Sequence, residues 1–216
     1  DRPMAEDRGA LMAAEIAEQP EALARLLVPE ALDPVREIVG TIRERSPRFV
    51  LLAARGTSDH AALYAKYLVE VSLGLPAGLA SPSTMTAYGA RPNLSDVLLL
   101  TVSQSGGSPD LVETVRTARA GGATTLAVTN NPGSAIAAAS ELHLDVLAGP
   151  ERAVAATKSY SSQLLALWLL IDAYRGGDMS AAKGIPEAAQ SLVERGEEVE
   201  ALAARYRFTD RLVTTG

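Results

Sequence analysis

The stretch DVLLLTVSQSGGSP, residues 96–109, decides how the rest of the chain is read. From Val97 to Val102 it is a continuous apolar run, broken only by a threonine. Such a run reads as a strand buried on both faces of a parallel sheet. The next residues, Ser103-Gln-Ser-Gly-Gly-Ser108, are small and polar. Ser108-Pro109 then supplies the N-cap and N1 residues with which a helix begins. A strand thus passes through a polar loop into a helix, which is expected to run to Ala120 and stop at Gly121-Gly122.

The same unit recurs on both sides. Phe49–Ala54 is a second buried run, followed by the turn Arg55-Gly-Thr-Ser-Asp-His60 and a helix over 61–74 with Leu63, Tyr67 and Val71 as its stripe. A short extended piece at 77–80 and a brief helix at 83–88 lead into the central strand. Beyond it come a strand at 124–129, the turn Asn130-Asn-Pro-Gly133, a small helix at 134–139 and a last strand at 142–147. Repetition with short connections predicts an α/β fold, a three-layer αβα sandwich around a five-stranded parallel sheet. Extra helices are expected at both ends. An N-terminal helical segment (1–46) is punctuated by Pro20, Pro29 and Pro34, and the sandwich spans 47–176. Within it a long helix covers 157–174, and a second, charged helix at 185–206 lies in the segment 177–207. Arg211-LVTT-Gly216 reads as an opening strand, so 208–216 is expected to begin a second domain.

Composition narrows the function. The 216 residues carry 20 Lys+Arg against 26 Asp+Glu, a formal charge of −6, which argues against a general nucleic-acid binder. Without cysteine there is no disulfide, thiolate metal site or cysteine nucleophile, and two histidines are too few for a His-rich zinc site. No metal or cofactor is expected. No apolar run approaches the roughly 20 residues of a membrane span. The acidic first twenty residues lack the order of a signal peptide. A cytoplasmic protein with no membrane partner is expected.

In open parallel sheets, ligands bind at the carboxyl ends of strands. Three polar loops fall there: Gly56-Thr57-Ser58, Ser103–Ser108 and Thr129-Asn130-Asn131. The second is the sharpest. Its glycines admit a ligand close to the backbone, and the helix that follows offers free N–H groups and a positive dipole end. Such a loop binds an anion without a lysine, and phosphate is the expected one; a Ser/Gly loop can also simply end a strand. Neither the GxGxxG nor the GxxxxGK[ST] fingerprint occurs, which weighs against a nucleotide site.

Gly56-Thr57-Ser58, then SQSGGS at 103–108, then AGPERAVAATKS at 148–159, together resemble the sugar isomerase (SIS) domain family over about residues 49–174. The resemblance is to the isomerase part of glucosamine-6-phosphate synthase and to related amino-sugar-phosphate deaminases and isomerases. It implies that Gly56, Thr57, Ser58, Ser103, Gln104, Ser105 and Ser108 contact a sugar phosphate, with the SQS block and the hydroxyl at 108 around the phosphate. Val154 and Ala155 would line the sugar side through their backbone. Three departures stand out: Ala156 where the family often has serine, Gly107-Ser108 in place of Glu-Thr, and Arg55 at a variable position. The resemblance places the catalytic base, the ring-opening histidine and a tail lysine outside this chain, in and after a second SIS domain. It implies a hexose-phosphate or amino-sugar-phosphate ligand such as fructose 6-phosphate or glucosamine 6-phosphate. A homodimer is expected, with the 157–174 helix able to join its interface. A non-catalytic phosphosugar sensor is the alternative.

Three further residues have two readings each. Glu151 could act as a base or cap a helix, and His60 could touch the ligand or sit at the surface. Lys158 could lend charge to the site or be solvated, and His143 reads as structural. Trp168 reads as core or subunit interface, and Glu194–Glu200 as a solvated face.

Overall fold

The computed structural model describes residues 9–213. Three helices come first: α1 (Ala10–Ala17), α2 (Gln19–Arg25) and α3 (Pro29–Arg45). Pro34 does not end a helix, as its composition suggested, but lies inside α3. It sits in the second turn on the exposed face, where it removes one N–H and water can reach the carbonyl of Glu30. Val35, Ile38, Val39 and Ile42 form the buried stripe of this helix.

The sandwich follows in the expected order. It comprises β1 (Phe49–Ala53), α4 (Thr57–Leu68, extended by a π turn over Val69–Leu73), β2 (Ala77–Leu79), α5 (Pro82–Thr86) and β3 (Val97–Ser103). Then come α6 (Pro109–Ala120), β4 (Thr124–Thr129), α7 (Ala135–Ala139), β5 (Leu142–Asp145) and α8 (Lys158–Tyr174). All five strands are parallel, in the order β2-β1-β3-β4-β5. From β1 the chain moves outward to β2; from β3 it moves the opposite way to β4 and β5. The sheet therefore has its topological switch point between β1 and β3, and their carboxyl ends open a crevice there.

Side-chain alternation along the strands builds two cores. Val50, Leu52, Leu98, Leu100, Val102, Leu126, Val128 and Leu144 face α3, α4 and α8, and Ala53, Leu99 and Ala127 face α6 and α7. The stripe of α4 differs from the one expected. Leu63, Tyr67 and Val71 are exposed, while Ala61, Ala62 and Ala65 are fully buried, because alanines let α4 press closely against the sheet and α8. Most of α8 is buried within its own chain, and Trp168 packs against that core, so α8 is not the free apolar surface expected for pairing.

After α8 the charged helix is two helices, α9 (Ile185–Val193) and α10 (Gly196–Ala203), separated at Glu194-Arg195 ahead of the poor helix former Gly196. The face Glu194–Glu200 is exposed as expected. Residues 211–213, part of the expected strand, have no regular structure, and 214–216 lie outside the described residues.

Candidate functional site

The loop between β3 and α6 is shaped by its own residues. Ser103 ends β3 with a buried hydroxyl that accepts a hydrogen bond from the Gly106 N–H at 3.1 Å, folding the loop back on the strand. Gly106 has φ +65°, and a Cβ there would overlap the side chain of Ser134. Its carbonyl accepts from Ile136 N at 3.1 Å, tying the loop to α7. Ser108 occupies the N-cap position of α6, its hydroxyl makes no capping bond, and the residue lines the crevice.

Across the crevice α4 begins earlier than expected, so Thr57, Ser58 and His60 lie in its first turn. Gly56 precedes it with φ +61° and starts the helix without lining the crevice. The buried Ser58 hydroxyl donates to Gln163 Oε1 on α8 at 3.2 Å. The third wall is the segment Val154–Ala156, ahead of α8, with Val154 fully exposed.

Between these walls lies a cleft of about 290 Å³ at the switch point. The cleft brings together eight of the expected contact residues: Thr57, Ser58, Ser103, Gln104, Ser105, Ser108, Val154 and Ala155. Five others line it that the sequence reading did not assign to ligand contact: Arg55, Ala156, Ser159, Tyr160 and Gln163. The signal for two of them was the i, i+4 spacing of Ser159 and Gln163, which sets both on one face of α8.

The remaining candidates lie elsewhere. Glu151 caps α8: Oε1 accepts from Thr157 N at 2.6 Å, and Oε2 from Ser159 N at 3.2 Å. Lys158 is neither solvated nor in the cleft. It is only 2% exposed and pairs with Glu18, whose carboxyl is held below its ordinary value chiefly by the hydrogen bond from Lys158. His60 is exposed outside the cleft. His143 contacts Thr129 Oγ1 through Nε2 at 2.8 Å, and burial pushes its imidazole below the ordinary value against a weaker opposing effect of Asp145.

The charge pattern defines what the cleft can do. Among the described residues Arg55 is the one charged side chain lining it, and its Nε donates to Asp110 Oδ2 at 2.6 Å in the first turn of α6. The other polar groups are hydroxyls and amides. Free N–H groups at the start of a 12-residue helix, with the hydroxyls of Ser103, Ser105 and Ser108 around them, favour an anion. No carboxylate or imidazole lines the cleft among the described residues, and the Tyr160 phenol is the lining hydroxyl acidic enough to exchange a proton. No cluster of His, Asp or Glu able to hold a metal occurs among the described residues, and no described helix is long and apolar enough to cross a membrane.

Comparison with known proteins agrees with this geometry. A model of the SIS domain matches residues 45–173. A glutamine–fructose-6-phosphate aminotransferase (isomerizing) of Halobacterium salinarum is 31% identical over 95% of this chain and 37% of its own length. The protein of the same name from Symbiobacterium thermophilum is 41% identical over 74% of this chain and 27% of its own length. The chain thus spans about a third of these relatives. A solved structure from Silicibacter pomeroyi DSS-3, named as a candidate phosphosugar isomerase, superposes with a TM-score of 0.80 at 39% identity, covering 84% of this chain and 56% of that one.

Proposed function

This chain belongs to the SIS domain family, and from that premise we propose that it is the phosphosugar-binding part of an enzyme acting on fructose 6-phosphate or glucosamine 6-phosphate by isomerisation or deamination. The observation that carries this reading is the cleft itself. Three serine hydroxyls and the start of α6 converge at the switch point of the sheet. In this reading Ser103, Gln104, Ser105 and Ser108 cradle the phosphate, while Ser58 and the backbone of Val154 and Ala155 face the sugar. Moving a proton between C1 and C2 requires a base, and opening the sugar ring requires a proton donor. The cleft lining holds no carboxylate or imidazole among the described residues, so in this reading the base comes from outside it, which accords with a chain that spans about a third of its aminotransferase relatives.

The test is calorimetric titration of fructose 6-phosphate into the wild type and the Ser103→Ala/Ser108→Ala double variant. Two hydrogen bonds to a charged phosphate predict a loss of about a hundredfold or more. Unchanged affinity would overturn the site assignment. Hexose-phosphate binding by the full-length protein without turnover would identify a sensor rather than an enzyme.

A further inference from the structure

We infer that Gln163 and Ser159 of α8 form a donor floor that reads an oxygen of the sugar, and that this floor selects a hydroxyl or carbonyl over an ammonium group. This rests on the phosphosugar reading above and extends it from the phosphate to the other end of the ligand.

Gln163 and Ser159 are each only 1% exposed. Gln163 Nε2 and Ser159 Oγ have no hydrogen-bond partner among the described residues, and both side chains line the cleft. Buried polar groups are paired in folded proteins because leaving one unpaired forfeits its hydration. Two other buried side-chain atoms also lack partners, the hydroxyls of Thr101 and Ser162, but those residues do not line the cleft. The pair beneath the cleft is therefore set apart by its position.

The chemistry of the amide follows from its one bond. Ser58 donates its proton to Gln163 Oε1, which spends the acceptor end of the amide inside the protein. What remains is the NH2 group, a donor only. Ser159 adds a hydroxyl one helical turn earlier on the same face. With no carboxylate lining the cleft, an ammonium group over this floor would meet the donor-only amide of Gln163 and find the Ser159 hydroxyl as its one neutral acceptor there, whereas a hydroxyl or carbonyl oxygen would be satisfied by both.

Two substitutions at one position separate ligand reading from support of Ser58. Gln163→Met removes both amide ends at nearly constant volume. Gln163→Glu keeps an acceptor for Ser58 and replaces the donor with a carboxylate. Each is titrated at pH 7, where the amino sugar carries an ammonium group, with fructose 6-phosphate, glucosamine 6-phosphate and inorganic phosphate, alongside a thermal unfolding midpoint. Both variants should lose about tenfold or more in affinity for fructose 6-phosphate while keeping that for inorganic phosphate. Gln163→Glu should also move relative preference toward glucosamine 6-phosphate, and Ser159→Ala should weaken fructose 6-phosphate several-fold. Wild-type affinity in Gln163→Glu would show that the residue only supports Ser58 and would overturn the inference, as would a parallel loss of inorganic phosphate. Failure of the wild type to bind any hexose phosphate would instead overturn the functional reading beneath it.

Discussion

The two loops that face each other across the cleft are held in opposite ways. In the β3–α6 loop, Ser103 and Ser105 bond to glycine N–H groups three and two residues away. The segment from Ala148 to Thr157 is held largely from a distance. Buried Glu15 of α1, 4% exposed, accepts from Arg152 N at 2.5 Å and Ala153 N at 3.1 Å, across more than 130 residues of sequence. Arg25 of α2 donates to the carbonyls of Leu147 and Ala148 at 2.9 and 3.0 Å, and Glu18 holds Lys158. Asn130 clips the start of the segment from β4, accepting from Ala148 N and donating to the Gly149 carbonyl. One wall of the cleft is thus shaped mainly by its own residues, with cross-ties from Asn130 N to the Gln104 carbonyl and from Ile136 N to the Gly106 carbonyl, and the other is a docked one. The N-terminal helices are the dock.

If that contrast is right, damage to the first loop must come from within it. Gly106→Ala should have the largest effect of the changes considered. It forces a side chain into the left-handed region and against Ser134, whose hydroxyl is committed to capping α7 through Ala137 N. Strain and overpacking together predict a loss of about 2–5 kcal/mol in denaturant unfolding. A loss below about 1 kcal/mol would mean the loop bends freely and would break the comparison.

Damage to the second loop should come from α1 and α2. Glu15→Ala strips the acceptor from two backbone N–H groups and should cost about 2–3 kcal/mol. Hydrogen exchange should accelerate at residues 148–157 and stay unchanged at 103–108. Equal acceleration in both loops would show that they share one support. Glu18→Gln is milder. It leaves the buried Lys158 ammonium with a neutral partner on a half-exposed side chain, and should lower the unfolding midpoint by less than Glu15→Ala does.

This contrast also explains what the sequence made legible. The β3–α6 loop could be read because strand, glycines, serines and Pro109 are contiguous, and contiguous residues set its geometry. Ser108 was placed correctly at the start of α6, but that its hydroxyl makes no capping bond depends on rotamer and surroundings. The docking of Glu15 was invisible, since an acidic residue in an acidic helix looks solvated until its distant partners are known. Lys158 shows the same limit: its burial is created by Glu18, 140 residues away. Gln163 and Ser159 sat in a helix whose apolar residues drew the reading toward the core. The exposed stripe of α4 failed for a related reason, because small alanines rather than large residues marked its buried face.

The smallest expected effect is also the one that reaches the docked loop through the sheet. His143 on β5 contacts Thr129, whose hydroxyl also bonds the backbone of Asn131, next to the Asn130 that clips Ala148 and Gly149. Burial holds the His143 imidazole below its ordinary value, so the folded chain keeps it neutral where the unfolded chain begins to protonate. The group therefore contributes its full stability above a pH of about 6.5. As pH falls through that value the unfolded state takes up a proton first and the contribution shrinks, until the folded imidazole protonates in turn at a lower pH. His143→Gln removes the titration. The stability advantage of wild type over this variant should accordingly narrow between pH 8 and pH 5. Hydrogen exchange at 148–157 should show the same pH trend in the wild type. A pH-independent difference would mean that the His143 imidazole titrates alike in the folded and unfolded states, and that the docked loop is insulated from it.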